Sequence, residues 1–223
     1  LITENCYEPV FNFAKYELSK AGIKVHYYPN NFKNLNKIIN KNTRLIYVES
    51  PSSLNFNVED LNLISKFAKK NKIITVIDNT WSTFIGCNPI KHGFDIVIES
   101  GTKYLSGHSD NFLGIITTKS KNFYNQIKKT TVRYGDFVSS ESCFSALKGL
   151  KTLGIRMDNH SRNASEIFKF LEAQTIVNNI KYLPDKKNKN HKLWKKYHSI
   201  NNGLITFAIK KKGKIEKFID NLK

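Results

Sequence analysis

The run Asp95-Ile-Val-Ile-Glu-Ser-Gly-Thr-Lys-Tyr-Leu-Ser-Gly-His-Ser109 constrains the fold more than any other part of the chain. Its apolar start, residues 95–98, reads as a strand. The strand empties into a turn of small residues that carries two hydroxyls, Ser100 and Thr102, and one lysine, Lys103. Reactive groups delivered at the carboxyl end of a strand suit an open α/β sheet, where ligands lie beyond those ends. The rest of the first half keeps that rhythm. Residues 23–29, 44–50, 72–78 and 112–118 predict further strands, and 34–40 and 58–71 predict helices. In the second of these, Leu61, Ile64, Phe67 and Ala68 recur at helical spacing. The alternation predicts a mostly parallel sheet with helices on both faces.

After Thr118 the pattern turns helical, with helices expected over 122–129, 141–153 and 163–173. A loop rich in Lys and Asn follows at 184–190, then a strand at 203–209 and a last helix from 214 to 222. A domain boundary is expected near residue 150, inside or beside a long helix. Residues 1–150 would form a large domain, and 151–223 the beginning of a smaller α/β domain.

A chain of 223 residues with 40% apolar and 12% aromatic content holds enough material for one large core and part of another. No run of 18 apolar residues occurs, so no membrane helix is expected. The start, Leu1-Ile-Thr-Glu-Asn5, has neither a Met nor the basic-then-apolar form of a signal peptide. The expectation is a cytoplasmic protein of which this chain is a piece.

The formal charge of +18 raises the question of nucleic acid. The excess is nearly all lysine, with arginine only at positions 44, 133, 156 and 162, and it is spread along the chain. A nucleic-acid binder clusters arginine and aromatic residues on one element. The charge is therefore read as a solvated surface, with no nucleic-acid or membrane partner. Cys6, Cys87 and Cys143 stand at no metal-ligand spacing, and the six histidines form no HxH or HxxxH cluster, so no metal site is expected.

The chemistry rests on two residues at the ends of successive strands. Lys103 supplies an amine able to form a Schiff base, and Asp78 closes the preceding strand, Lys72-Ile-Ile-Thr-Val-Ile-Asp78. Hydroxyls at Ser100 and Thr102 flank Gly101, where they and the backbone N–H groups could seat a phosphate. An amine, a carboxylate for a ring nitrogen and a phosphate seat are what pyridoxal 5'-phosphate (PLP) requires.

The run 95–109 also matches in full the PLP-attachment pattern of the Cys/Met-metabolism enzymes, and Asp78-Asn-Thr-Trp81 resembles that family's aspartate motif. Cys6-Tyr-Glu-Pro9, Glu49-Ser-Pro51, Trp81 and Thr152-Leu-Gly-Ile-Arg156 resemble the branch that breaks the carbon–sulfur bond of cystathionine by β-elimination. The resemblance covers residues 1 to about 212. It implies the PLP-dependent transferase fold, with a sheet of the seven-stranded type, and a homotetramer whose substrate is an amino acid such as cystathionine. It also implies roles. Lys103 would hold PLP and shuttle protons, and Asp78 would pair with the ring nitrogen. Tyr7 would stack on the ring, Ser100 and Thr102 would bind the phosphate, and Ser53 stands where the family carries an Asn near the phenolic oxygen. Gly107-His-Ser109 would be structural. Sequence before Leu1 would add a Tyr and an Arg for a neighbouring subunit's phosphate, and sequence after Lys223 an Arg for the substrate carboxylate.

Overall fold

Apolar runs of the first half become strands that end side by side. In the computed structural model, which describes residues 1–29, 35–210 and 219–221, β1 is Ile2–Thr3, β2 Tyr27–Tyr28, β3 Leu45–Glu49, β4 Ile74–Asp78, β5 Ile96–Ser100 and β6 Gly114–Thr118. They form one sheet in the order β2-β1-β3-β4-β5-β6. Every pair is parallel except β5–β6. The link from Ser100 to Gly114 holds the tight turn Gly101–Leu105 and an irregular stretch rather than a crossover helix, so β6 returns antiparallel.

The helices are α1 (Glu8–Asn12, continued as a π-helical segment, Phe13–Leu18), α2 (Leu35–Ile38), α3 (Leu61–Lys70), α4 (Thr83–Gly86), α5 (Lys121–Tyr134), α6 (Ser140–Glu172) and α7 (His191–Tyr197). Side-chain alternation along the strands sorts them onto two faces. Ile46, Val48 and Ile77 pack against Leu35, Leu61, Ile64 and Ala68 of α2 and α3. Tyr47 and Val76, one residue out of phase, pack with Ala14 and Val10 on the other face. The sheet is covered on both sides, as the alternation predicts.

Several boundaries differ from expectation for identifiable reasons. The helix expected over 58–71 begins at Leu61, because the Asp60 side chain accepts from Leu63 N at 3.1 Å and caps it. Val58 instead joins a buried cluster with Phe56, Trp81, Leu183 and Trp194. The helix expected over 122–129 runs on to Tyr134 and stops at Gly135, whose φ of 67° is left-handed. The strand expected over 23–29 is reduced to Tyr27–Tyr28.

The helices expected over 141–153 and 163–173 are one helix, α6. Polar residues from Asp158 to Arg162 mask its period, yet Leu153, Met157 and Ala164 stay buried along one side. Residue 150 lies within it. Beyond α6, β7 (Val177–Lys181) and β8 (Thr206–Ile209) pair antiparallel. Neither β7 nor α7 was expected, because both sit in Lys/Asn-rich sequence; α7 nevertheless buries Trp194 and Tyr197. The helix expected over 214–222 falls outside the described residues except at 219–221.

Candidate active site

The parallel register sets Glu49 of β3 beside Asp78 of β4, and Asp78 beside Ile98 of β5. Three strand ends therefore open into one cavity of about 580 Å³. Tyr7, Asp78, Ser100, Thr102 and Lys103, the five residues expected to form the site, all line it, as do Glu49, Ser53, Thr80 and Trp81. A larger hollow of about 760 Å³ between α6 and the segments around Ile85 and Ser199 is lined by Asp158 and Arg162 but touches none of these strand ends. The candidate site is the smaller one.

Asp78 is held at both oxygens. Its Oδ1 accepts the Thr80 N–H at 2.8 Å, and Oδ2 receives a longer contact of 3.4 Å from the Tyr47 hydroxyl. Thr80 then accepts the Ser100 N–H on its own Oγ1 at 2.8 Å, which ties the end of β4 to the end of β5. Asn79 braces the same corner from below, donating to Glu99 Oε1 at 2.9 Å and to the Cys87 carbonyl at 3.0 Å.

Lys103 sits in the turn that follows Ser100. Its φ and ψ of −85° and −118° are non-helical within an otherwise helical turn. Its Nζ stands over the Tyr7 ring, 4.8 Å from the centroid. The Thr102 hydroxyl is engaged with the next strand: it accepts from Leu113 N at 3.1 Å and donates to Leu113 O at 3.4 Å. Donating to a phosphate would require it to leave the second, longer contact. Gly101 lets that strand come close, since a Cβ there would lie 2.8 Å from Leu113.

Glu49 is a site residue to which the sequence reading assigned no role. It is buried, and its two oxygens accept the main-chain N–H groups of Tyr7 and Ser53, each at 2.6 Å. One carboxylate thus anchors the loop that carries the Tyr7 ring and the loop after Pro51. Burial pushes the Glu49 carboxyl above its ordinary value, with the charge on Asp78 adding to the effect and the N–H donors opposing it. Burial likewise raises Glu99 to about 7, against the Asn79 bond. Thr80 was visible only as part of Asp78-Asn-Thr-Trp81; its bond from Ser100 N–H and that of Glu49 from Tyr7 N–H come from main chain distant in sequence.

A lysine, a fixed carboxylate and an aromatic face around one strand-end cavity agree with the comparisons to known proteins. The model of the Cys/Met metabolism PLP-dependent enzymes matches residues 1–223. The chain belongs to this family. An L-alanine/L-glutamate racemase of Wolbachia pipientis is 33% identical over the whole chain, which covers 56% of it. A cystathionine β-lyase of Lactococcus lactis subsp. cremoris is also 33% identical over the whole chain, which covers 59% of it. The crystal structure of cystathionine γ-lyase from Lactobacillus plantarum complexed with L-serine superposes with a TM-score of 0.96 at 26% identity, over all of this chain and 59% of that one. The chain therefore spans somewhat under three-fifths of the length of these relatives.

The family's cofactor is PLP, and the donor set fits it. Lys103 offers the one amine lining the cavity among the described residues, and Asp78 offers a carboxylate held on the same floor. Tyr7, a half-exposed residue, supplies an aromatic ring at the cavity. Ser100 and Thr102 bring hydroxyls to the turn between them and the amine.

Proposed function

We propose that the protein containing this chain is a PLP-dependent carbon–sulfur lyase that converts cystathionine by β-elimination to homocysteine, pyruvate and ammonia, a step of methionine biosynthesis. The observation that carries the reading is the convergence of Lys103, Asp78 and Tyr7 on one cavity in a chain of this family. The Lactococcus relative's β-lyase name and the motifs around Tyr7, Glu49 and Trp81 favour β-elimination over the γ-synthase, γ-lyase and methionine γ-lyase activities of sister enzymes.

In this reading Lys103 holds the cofactor, Asp78 pairs with its ring nitrogen, Tyr7 stacks on its ring, and Ser100 and Thr102 take its phosphate. Bound there, PLP supplies an electron sink for the pair left when a bond at the amino acid's Cα breaks. The chain's own residues do the rest. The Lys103 amine, freed when substrate arrives, takes the α-proton and later gives a proton to the departing sulfur. Asp78, with both oxygens anchored by Thr80 and Tyr47, keeps a negative charge fixed where a proton must be retained. Glu49 holds Tyr7 and Ser53 in place by their main chain.

The Wolbachia relative supports a second reading, in which the same α-proton is removed and returned to the opposite face of Cα without loss of a side-chain group. Both readings share the Lys103 step. An inactive remnant of the fold is the outcome if no cofactor binds.

We further propose that the protein is cytoplasmic and a homotetramer, with residues 1–150 as the large domain and 151–223 as the start of the smaller one. The exposed apolar residues Tyr134, Phe137, Phe144, Leu147 and Ile155 on and between α5 and α6 support a surface covered by another copy.

The test is borohydride reduction of the PLP-loaded full gene product, peptide mapping, and product analysis with cystathionine, L-alanine and L-glutamate. An adduct on Lys103 together with pyruvate and homocysteine is expected. 2-Oxobutyrate moves the assignment to γ-elimination, and D-amino acid without pyruvate moves it to racemisation. An adduct on another lysine, or none, overturns the reading.

A further inference from the structure

Arg156 lies on α6, far along the chain from Lys103, yet its guanidinium is spent on the turn that carries that lysine. Nη1 donates to the Tyr104 carbonyl at 2.8 Å, and Nη2 makes a longer contact of 3.4 Å to the Leu105 carbonyl. Nη2 also reaches the Gly149 carbonyl at 2.8 Å, and Nε donates to Thr152 Oγ1 at 3.0 Å. The three ion pairs recorded among the described residues do not include it. A charged fork has been placed against carbonyls rather than against a carboxylate.

Those carbonyls are the ones the turn cannot satisfy itself. Within it, Gly101 O accepts from Ser106 N at 3.0 Å and Lys103 O accepts from Gly107 N at 2.8 Å. Tyr104 O and Leu105 O come next, at the position where a helical turn leaves its last acceptors without internal donors. Bonds from a charged donor are stronger than neutral ones and geometrically more demanding.

Two glycines make the approach possible. A Cβ on Gly107, which has φ +74°, would lie 2.2 Å from Arg156 Nη1, and a Cβ on Gly149 would lie 2.3 Å from Ser106 O. Asn111 adds a third link, donating to Ser142 O on α6 at 2.7 Å. The fork, the two bare Cα positions and the amide together press α6 onto the segment after Lys103.

We propose that Arg156 is a positioning residue for Lys103: it fixes the two peptides that follow the lysine, and through them the place from which the amine enters the cavity. The inference rests on the reading of Lys103 as the PLP-bearing amine. It gives the Thr152-Leu-Gly-Ile-Arg156 motif a physical task, and it couples the cavity to the long helix α6.

The experiment compares the PLP-loaded parent with Arg156→Ala, Arg156→Lys and Thr152→Val. It measures the PLP dissociation constant, the pH midpoint of the visible absorbance and the melting temperature without cofactor. Adduct mapping of the parent comes first, since an adduct elsewhere than Lys103 overturns the functional reading and this inference with it, whereas the variants test this inference alone. With the adduct on Lys103, Arg156→Ala is expected to weaken PLP binding about tenfold or more and to move the absorbance midpoint, because a misplaced reactive group loses its geometry steeply. Arg156→Lys should recover part of both. Thr152→Val, which removes the Arg156 Nε contact and the 3.2 Å bond from the Thr152 hydroxyl to Gly149 O but keeps the charge, should shift both by a smaller amount in the same direction. If Arg156→Ala fails to fold, Thr152→Val decides. Parental affinity and midpoint in the folded variants, with only the melting temperature lowered, overturn the proposal.

Discussion

The Nζ of Lys103 stands 4.8 Å from the centroid of the Tyr7 ring, although the two residues come from opposite ends of the large sheet's sequence. What brings them together is main chain. Glu49 draws in the Tyr7 N–H at 2.6 Å, while the turn after β5 delivers Lys103. Tyr7 is thus placed by its backbone and is free to use its ring. A stacked ring contributes about 1 kcal/mol beyond burial. Tyr7→Ala should therefore raise the PLP dissociation constant by about five- to tenfold, whereas Tyr7→Phe, which keeps the ring, should stay within about twofold. Absorbance titration of the two variants measures both values, and equal losses in the two would assign the effect to the hydroxyl.

Asp78 separates charge from position. In Asp78→Asn the remaining carbonyl oxygen can still accept the Thr80 N–H, so the tie through Thr80 to Ser100 persists. What goes is the negative charge on the floor of the cavity. Turnover should fall about 100-fold or more, the size found when one preorganised electrostatic contact is removed from an active site. The PLP adduct should still map to Lys103. Steady-state kinetics alongside peptide mapping checks the pair of outcomes, and unchanged turnover would deny Asp78 its electrostatic role.

How far this site could be read in the sequence depends on the range of each interaction. Asp78 and Lys103 were legible because alternating strands and helices put strand ends on one edge, and both residues close a strand. Ser100 and Thr102 were legible from the turn chemistry around Gly101. Glu49, Thr80 and Arg156 were quoted within motifs but carried no task, since their partners are main-chain groups of Tyr7, Ser100 and Tyr104 that only the folded chain brings near. In the fold, β3, β4 and α3 announce themselves by periodicity. The continuity of α6 is hidden because its middle exposes polar residues around Asp158, and α7 is hidden because Trp194 and Tyr197 stand among lysines. Both depend on burial against distant parts of the chain.

Glu59 predicts an unusual pH dependence of stability. It is 2% exposed, and its Oε1 has no hydrogen-bond partner among the described residues. Burial, with a smaller push from Glu4, raises its carboxyl from 4.5 to about 7. The folded chain therefore binds a proton more tightly than the unfolded chain does. The stabilisation this provides is fully present below about pH 4.5 and is lost as pH rises through about 7. Glu59→Gln removes the titration. Relative to that variant, the parent should lose about 3 kcal/mol of unfolding free energy between those limits. Urea unfolding of both proteins across the range reads the difference, and parallel curves would show that Glu59 finds a partner in solution.

Gly149 reverses an ordinary expectation. In the interior of a helix, Gly→Ala normally stabilises by about 0.5–1 kcal/mol, because alanine loses less backbone freedom on folding. Here the added methyl would lie 2.3 Å from Ser106 O and 2.5 Å from Leu105 O, and both obstacles are backbone rather than a flexible side-chain tip. Relief requires α6 to withdraw from the turn after Lys103, which also opens the contacts of Leu153 and Met157 with Leu105 in the cluster beneath it. Overpacking of this kind costs about 1–3 kcal/mol, more than the helix propensity returns. Gly149→Ala should therefore lower stability by about 1–2 kcal/mol. Gly154→Ala on the same helix, where a Cβ meets nothing within 4 Å, should raise it. Denaturant unfolding of the two variants side by side provides the check. Equal stabilisation by both would mean that α6 does not press on the lysine-bearing turn in solution.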